Sequence, residues 1–286
     1  MAEPSIDSVV RRAAEEVAAR RDAIGRDRER RDAPWRLAFV LALAALALGT
    51  LLIPGTPDAK LIRALSGVCA QQHNIVLGGM QLPLCARDTG IYLSALLTVA
   101  VIVARGRSRA AALPSAPLVG TLLALVAALA VDGLNSTVAE IGLAPLYTPR
   151  DDLRAATGMG MGLGVGTLLV LLLNRTLRAD PDDRQPVLVW TDLAIVAGLN
   201  GLALGLVLGG VALAAWPLAL LSAAGVLGTI FVSGLTASGV LLGYEGAAER
   251  PAQLARPGTV ALLITASFVG SLALLRAWLS ATVVGG

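Results

Sequence analysis

Residues 193–244 read LAIVAGLNGLALGLVLGGVALAAWPLALLSAAGVLGTIFVSGLTASGVLLGY, and no charged residue interrupts them. A helix needs about 20 mostly apolar residues to span a bilayer core, so this stretch is too long for one crossing and fits two. Trp216 and Pro217 in its middle combine an interfacial anchor with a helix-starting proline. The sequence therefore predicts a pair of transmembrane helices here.

Five further apolar blocks have the length of a membrane span. They cover residues 37–53, 89–104, 110–131, 155–174 and 257–275. With 56% hydrophobic residues and a mean hydropathy of +0.73, the chain carries more apolar surface than a soluble domain of its length buries. The sequence predicts an all-α protein, a polytopic transmembrane helical bundle of about seven spans.

The distribution of arginine predicts how the spans are oriented. Most arginines lie at the N-terminus and in the loops near 105–109, 175–184 and 250–256, which share one side in a seven-span arrangement. Cytoplasmic loops retain Lys and Arg, so we expect a cytoplasmic N-terminus and an outside C-terminus. Because these arginines flank apolar blocks and are not interleaved with aromatic residues, they do not indicate nucleic-acid binding.

Composition divides the chain into three regions. Residues 1–36 form a charged cytoplasmic N-terminal helix, 37–174 a four-span region and 175–286 a glycine-rich three-span region. Val10, Val17 and Ile24 recur at seven-residue spacing in the first region. A solvated helix is the favoured interpretation, and a protein partner bound through residues 1–36 is the alternative.

Two glycine patterns mark the later spans. Gly201, Gly205 and Gly209 recur at four-residue spacing in the fifth span, and the fourth span alternates Gly158, Gly160, Gly162, Gly164 and Gly166. Small residues let helix backbones approach closely in lipid, so we interpret both patterns as packing surfaces. The Gly-x-Gly-x-x-Gly string in the fourth span follows no predicted strand and is not a dinucleotide site.

The densest polar chemistry lies just before the second span and at its start. Both cysteines, Cys69 and Cys85, fall here, as does the only histidine, His73. On a helix that begins near Cys85, Asp88 and Tyr92 lie on the same face as the cysteine.

A second polar set flanks the third and fourth spans. Asp132 and Asn135 lie at the outer end of one helix, and Arg154 and Thr157 open the next. Charges at this depth are costly unless they are paired. We therefore expect Arg87 and Arg154 to neutralise Asp88 and Asp132 in some combination. Such a network either locks three helices together or binds a ligand, and the sequence leaves both open.

These motifs resemble, in the same order, the pattern of the prokaryotic membrane-protein family called domain of unknown function 2085. The matching elements are Cys69, Pro83-Leu84-Cys85-Ala86-Arg87, Thr89-Gly90-Ile91-Tyr92, Asp132-Gly133 and Arg154-Ala155-Ala156-Thr157-Gly158. The resemblance covers about residues 60–170 and implies a multi-pass protein of a prokaryotic cytoplasmic (inner) membrane. Two positions depart from the pattern, because Ala70 replaces a histidine and Asp88 replaces the second cysteine of a Cys-x-x-Cys.

Three interpretations of the cysteines remain open: a disulfide between Cys69 and Cys85, a metal site, or two separate thiols. An extracytoplasmic pair is exposed to oxidising conditions, which favours the disulfide. If the family's set binds metal, this chain would use Cys69, His73, Cys85 and Asp88, with fewer thiolates than is common for structural zinc. We therefore predict no cofactor, with zinc as the alternative.

We expect an integral membrane protein with a polar, ligand-binding or transport site at the extracytoplasmic ends of spans two to four. Its ligand would be a lipid headgroup, an anion or a small solute. The alternatives are a scaffold or assembly subunit of a membrane complex and an extracytoplasmic-face membrane enzyme with thiol or lipid chemistry. No catalytic residue is assigned. The candidate ligand-binding residues are Arg87, Asp88, Tyr92, Asp132, Asn135, Arg154 and Thr157.

Overall fold

A computed structural model describes residues 6–69 and 74–284. The helices are α1 Ile6–Leu52, α2 Pro57–Leu65, α3 Ala86–Ala104, α4 Ala116–Glu140, α5 Asp151–Leu177, α6 Trp190–Leu208, α7 Ala215–Leu241 and α8 Ala255–Val284. Seven helical segments among the described residues are long and apolar enough to cross a membrane, one in each helix except the short α2. The predicted all-α bundle of seven spans is therefore confirmed.

The alternation of the spans gives the bundle two ends. We call the end that holds residues 53–69, 74–85, 141–150 and 209–214 the motif side, and the opposite end the arm side. The arm is the part of α1 that precedes the first apolar block, residues 6–36. Most of the motif residues named above therefore lie at one end of the bundle.

The N-terminal segment is not a separate helix, because α1 continues without a break through Pro34 into the first span. Arg28 donates a hydrogen bond to the carbonyl of Gly243 at 2.9 Å and lies over the Tyr244 ring. The Tyr244 hydroxyl donates to the buried carboxylate of Asp32. The end of the arm thus docks on the loop between α7 and α8, so the solvated helix that we expected is only partly solvated.

The seven-residue repeat of the arm has no packing role in the described residues that test it. Val10 and Val17 are both exposed. The side chain of Ile24 lies outside the described part of the chain. A partner that binds through residues 1–36 stays a prediction.

The third span begins later than the sequence indicated. Residues 110–112 form a short strand, β3 (Ala110–Ala112), which pairs in parallel with β4 (Asp182–Pro186), and α4 starts only at Ala116. Pro117 in the first turn of α4 explains the start, because a proline has no backbone N–H to donate there. The prediction that this span starts at residue 110 was therefore wrong.

Two arginines surround a buried aspartate at the arm side. Asp192, which is fully buried, lies 3.3 Å from Arg105 and 3.1 Å from Arg107. Its carboxylate also accepts a hydrogen bond at 3.2 Å from the amide of Val189, at the start of α6. These arginines, which the sequence marks as orientation signals, thus also hold the loops together.

The glycines of the fourth span pack tightly against α3. A Cβ on Gly158 would lie 2.2 Å from the carbonyl oxygen of Arg87, and a Cβ on Gly162 would lie 2.3 Å from that of Ile91. The interpretation as a packing surface is confirmed for these two. In the fifth span it fails within the described residues, since no other part of the chain lies within 4 Å of a Cβ on Gly201 or Gly205.

A small cap covers the motif side, where the sequence indicated only a loop. It consists of α2 and a hairpin of β1 (Asn74–Leu77) and β2 (Met80–Cys85). Gly78 and Gly79 form the two-residue turn with φ angles of +57° and +83°, which side chains other than glycine rarely adopt. Leu82 and Leu84 of β2 are fully buried, so the cap is packed onto the bundle.

Candidate functional site

The two cysteines and Asp88 lie together under the cap. Cys85 ends β2 and is the residue that immediately precedes α3, while Cys69 follows α2. The sulfurs of the two cysteines and a carboxylate oxygen of Asp88 all lie within 4.8 Å of one another. The Cys85 thiol donates to Asp88 across 3.4 Å. The prediction that Asp88 lies on the same helix face as Cys85 is confirmed.

An apolar shell surrounds this thiol–carboxylate cluster (Cys69, Cys85 and Asp88). The half-buried Tyr92 packs against it, together with Leu65 of α2, Val226 of α7 and Val269 of α8. Because the two cysteines are buried in this shell, it favours the neutral form of their thiols.

The groups around Cys85 make its thiol harder to deprotonate. A hydrogen bond with Cys69, then burial, and then the charge of Asp88 raise the pKa of the Cys85 thiol far above its ordinary value. The two sulfurs are close but not bonded to each other, so the disulfide stays a prediction. His73, the other residue of the predicted metal set, lies outside the described residues.

An ion pair between Arg87 and Asp132 joins the start of α3 to the outer part of α4. Nη2 of Arg87 lies 2.8 Å from Oδ2 of Asp132, and Asp132 is 1% exposed. The carboxylate also accepts hydrogen bonds from the Tyr147 hydroxyl at 2.9 Å and from Thr157 at 3.4 Å. Burial, followed by the hydrogen bond to Asp132, raises the pKa of Tyr147. The donors come from α3, from α5 and from the loop between α4 and α5, so Asp132 ties these segments to α4.

Asn135 secures the loop between α4 and α5. Its side-chain amide donates to the carbonyl of Tyr147 at 2.9 Å, and its oxygen accepts from the amide of Leu146 at 2.7 Å and, at 3.3 Å, from that of Tyr147. With both ends of its amide engaged by backbone, Asn135 positions the loop and has little capacity left for a ligand.

A polar recess of about 340 Å³ lies beside this loop, between the end of α4 and the start of α5. Arg154 forms its buried floor, and its guanidinium donates to Ser136 at 3.4 Å and to Asp151 at 3.3 Å. Oε1 of Glu140 lies 3.9 Å from Nη2 of Arg154. The same Ser136 hydroxyl accepts from Arg87 at 3.0 Å, which links the recess to the ion pair. The lining residues are Ser136, Ala139, Glu140, Pro149, Asp151 and Arg154.

The candidate residues therefore form two groups. Asp88 and Tyr92 face the cysteines, whereas Arg87, Asp132, Asn135, Arg154 and Thr157 face α4, α5 and the loop between them. Consecutive helical positions point about 100° apart, so Arg87 and Asp88 point to different neighbours. The expected charge pairing holds for Arg87 with Asp132, whereas no arginine of the described residues pairs with Asp88.

Sequence reasoning missed four residues of these two sites. Ser136, Glu140 and Asp151 surround Arg154, and Arg276 of α8 donates to the backbone carbonyls of Ser66 and Cys69. Glu140 and Asp151 could have been found from their place at the two helix ends next to Arg154. Nothing in the sequence pairs Arg276 with a residue more than 200 positions earlier.

Comparison with known proteins agrees with the motif pattern. The model of a family described as predicted membrane protein, domain of unknown function 2085, matches residues 69–168. No curated protein and no solved structure matches the chain. Helices α6–α8 lie outside the matched segment, although they supply Val226, Val269 and Arg276 to the surroundings of the cysteines. The resemblance is thus confirmed over residues 69–168: this is a multi-pass helical membrane protein in which that segment matches the family of predicted membrane proteins named domain of unknown function 2085.

Proposed function

We propose that the protein binds a small zwitterion in the recess between α4 and α5. The ligand would carry an ammonium group and an anionic oxygen group a few bonds apart. The observation that carries this proposal is a buried arginine with unused donors beneath two partly exposed carboxylates. Arg154 has a side chain 6% exposed, while those of Glu140 and Asp151 are 44% and 52% exposed.

The donors of Arg154 are not exhausted by the protein. A guanidinium has five N–H groups, and here Nε donates to Ser136 and Nη1 to Asp151. Nη2 lies 3.9 Å from Glu140, too far for a hydrogen bond, and it donates to no other described residue. Phosphate and carboxylate oxygens suit these remaining donors because arginine binds planar oxygen pairs in a bidentate manner.

The opening of the recess favours the ammonium group of a zwitterion. Glu140 and Asp151 both face outward, and their two negative charges outnumber the single charge of Arg154. Arg87, the other nearby arginine, already pairs with Asp132. A simple anion would therefore meet net negative charge, whereas an ammonium group finds two acceptors.

Two sources supply this chemistry. The recess lies at the end of two spans, where lipid headgroups are found, and it also opens toward solvent. Phosphatidylethanolamine carries a phosphate and a primary ammonium group, and soluble glycerophosphoethanolamine carries the same pair without acyl chains. Phosphatidylcholine is the matched comparison, since its quaternary nitrogen has no N–H to donate.

The soluble arm of the test uses the full chain in nanodiscs of phosphatidylcholine. Calorimetric titration with glycerophosphoethanolamine should give saturable binding, whereas glycerol phosphate and ethanolamine, which each carry half of the chemistry, should bind much more weakly. Glu140→Gln and Arg154→Lys should each reduce the affinity about tenfold or more, the effect of losing one charge-assisted hydrogen bond. The control is Arg150→Gln, an exposed loop arginine that pairs with Asp152.

The lipid arm compares nanodiscs of phosphatidylethanolamine with nanodiscs of phosphatidylcholine. If the headgroup fills the recess, the thermal midpoint should be higher in phosphatidylethanolamine, and Glu140→Gln should remove the difference. The proposal is overturned if neither the soluble probe nor the lipid has an effect, or if both effects survive in Glu140→Gln and Arg154→Lys.

We also infer that the motif side is extracytoplasmic and that the membrane is a prokaryotic cytoplasmic (inner) membrane. The arginines on the arm side support this orientation, because Lys and Arg are retained in cytoplasmic loops. The recess would then bind its ligand from outside the cell or from the outer leaflet.

A further inference from the structure

We propose that Cys69, Cys85 and Asp88 form a binding site for a thiophilic divalent cation, with Zn²⁺ as the expected ion. Two thiolates and one carboxylate would bind the metal, and the remaining tetrahedral position would hold water or another small ligand. This site is separate from the zwitterion recess, and neither proposal depends on the other.

The spacing of the three side chains fits a zinc ion. Zn–S bonds of about 2.3 Å and a Zn–O bond of about 2.0 Å at tetrahedral angles place sulfur and oxygen about 3.5 Å apart and two sulfurs about 3.8 Å apart. Sγ of Cys85 lies 3.4 Å from Oδ2 of Asp88, and the three ligand atoms all lie within 4.8 Å of one another. Small side-chain rotations would therefore complete the coordination.

Asp88 accepts a hydrogen bond from the Cys85 thiol but has no cationic partner among the described residues. In the part of the chain that the structure describes, no Lys or Arg lies within salt-bridge distance of Asp88, although Arg87 is next to it in sequence. Arg87 points to Asp132 instead. A carboxylate without a cation is costly in an apolar shell, and a metal ion would compensate its charge.

The charges balance when a divalent ion is bound. Two thiolates and one carboxylate carry three negative charges, and Zn²⁺ leaves one. Arg276 supplies one positive charge beside the cluster, since its guanidinium donates to the backbone carbonyls of Ser66 and Cys69. The arginine also fixes the backbone of one ligand, as groups around a metal site commonly do.

The ligand types select the metal. Thiolates are soft ligands that favour zinc over calcium or magnesium, which prefer oxygen. The described residues offer three protein ligands. A zinc site with three protein ligands keeps one position for an exchangeable molecule, whereas structural zinc sites usually have four protein ligands. A cap built of α2 and a hairpin provides the cover over such a site.

The test uses the full chain, purified in detergent under reducing conditions without chelator. Elemental analysis should find about one zinc per chain. After metal removal, titration with Co²⁺ should produce the sulfur-to-cobalt charge-transfer absorption that reports thiolate ligands. Cys69→Ser and Cys85→Ser should abolish this band, and Asp88→Asn, which preserves the side-chain volume, should weaken Co²⁺ binding at least tenfold.

The matched control is Asp58→Asn, which changes a carboxylate on α2 outside the cluster. It should bind Co²⁺ as the unaltered protein does, and Glu140→Gln in the recess should also leave metal binding unchanged. Each variant is checked for an intact thermal transition. Three results would each overturn the proposal: binding no stronger than in the cysteine variants, Co²⁺ binding without the thiolate band, or Cys69 and Cys85 joined as a disulfide in protein taken directly from membranes.

Discussion

The guanidinium of Arg87 and the carboxylate of Asp132 meet at 2.8 Å, and this contact ties the first turn of α3 to the outer half of α4. Asp132 is nearly inaccessible to solvent, and Tyr147 and Thr157 supply its other hydrogen bonds. The pair therefore joins three helices and a loop at the motif side.

Breaking this pair from one side should destabilise the protein strongly. Arg87→Gln leaves a buried carboxylate without its cation, and we expect a loss of about 3 to 5 kcal/mol. The double variant Arg87→Gln/Asp132→Asn should recover part of this loss, because neither charge remains. Thermal unfolding in detergent measures the order of the three midpoints. Arg150→Gln removes only an exposed ion pair and should leave the midpoint nearly unchanged. A double variant no better than Arg87→Gln would show that the two charges do not interact.

Alanine substitutions should separate the two glycine patterns. Gly158→Ala forces a methyl group to 2.2 Å from the carbonyl oxygen of Arg87, and overpacking of this kind costs about 1 to 3 kcal/mol. Gly205→Ala meets nothing within 4 Å in the described chain and should be neutral or slightly stabilising, since alanine is the better helix former. Midpoints of thermal unfolding give the comparison. Equal effects of the two substitutions would contradict the close packing of α3 on α5.

The contact between Tyr244 and Asp32 should make the stability fall at alkaline pH. Burial, followed by the hydrogen bond to Asp32, raises the pKa of Tyr244 above its ordinary value. The hydroxyl then stays protonated in the folded protein after it has ionised in the unfolded chain. Its stabilisation is complete below pH about 10 and is lost as the pH rises through the folded pKa.

Tyr244→Phe tests this contact. At neutral pH the variant should be about 1 to 3 kcal/mol less stable, because it loses a hydrogen bond to a carboxylate. Its thermal midpoint should also decline less between about pH 9 and about pH 11. Tyr92 and Tyr147 are present in both proteins, so the difference between the two curves reports Tyr244 alone. Parallel curves would rule out a role of this contact in the alkaline decline.

The orientation prediction can be tested with single added cysteines. Leu146, in the loop between α4 and α5, is 85% exposed, and Asp183 is exposed in the loop between α5 and α6. If the motif side is outside, a membrane-impermeant maleimide should label Leu146→Cys in intact cells and Asp183→Cys only after the membrane is opened. The unaltered chain gives the background of the two buried native cysteines. The reverse pattern would invert the topology.

The sequence by itself determined the class of the protein and the place of its polar chemistry. Seven charge-poor apolar blocks dictate seven spans, because a charge in the bilayer core is costly and about 20 helical residues cross it. The order of the motifs from Cys69 to Thr157 indicated that their residues meet at one end, and α3 begins directly after Cys85, as the motif predicted. These features depend on local composition and on distances along the chain.

Only the tertiary structure decided how those residues are distributed. The close packing of α5 on α3 at Gly158 and Gly162 fixes the rotation of α3, and this rotation directs Arg87 to Asp132 and Asp88 to the cysteines. Arg276 reaches the backbone of Cys69 because α8 packs beside α2, a contact that no local pattern encodes. Side-chain partners across helices depend on rotation and on approach distance, and both are set by packing between segments that are far apart in the chain.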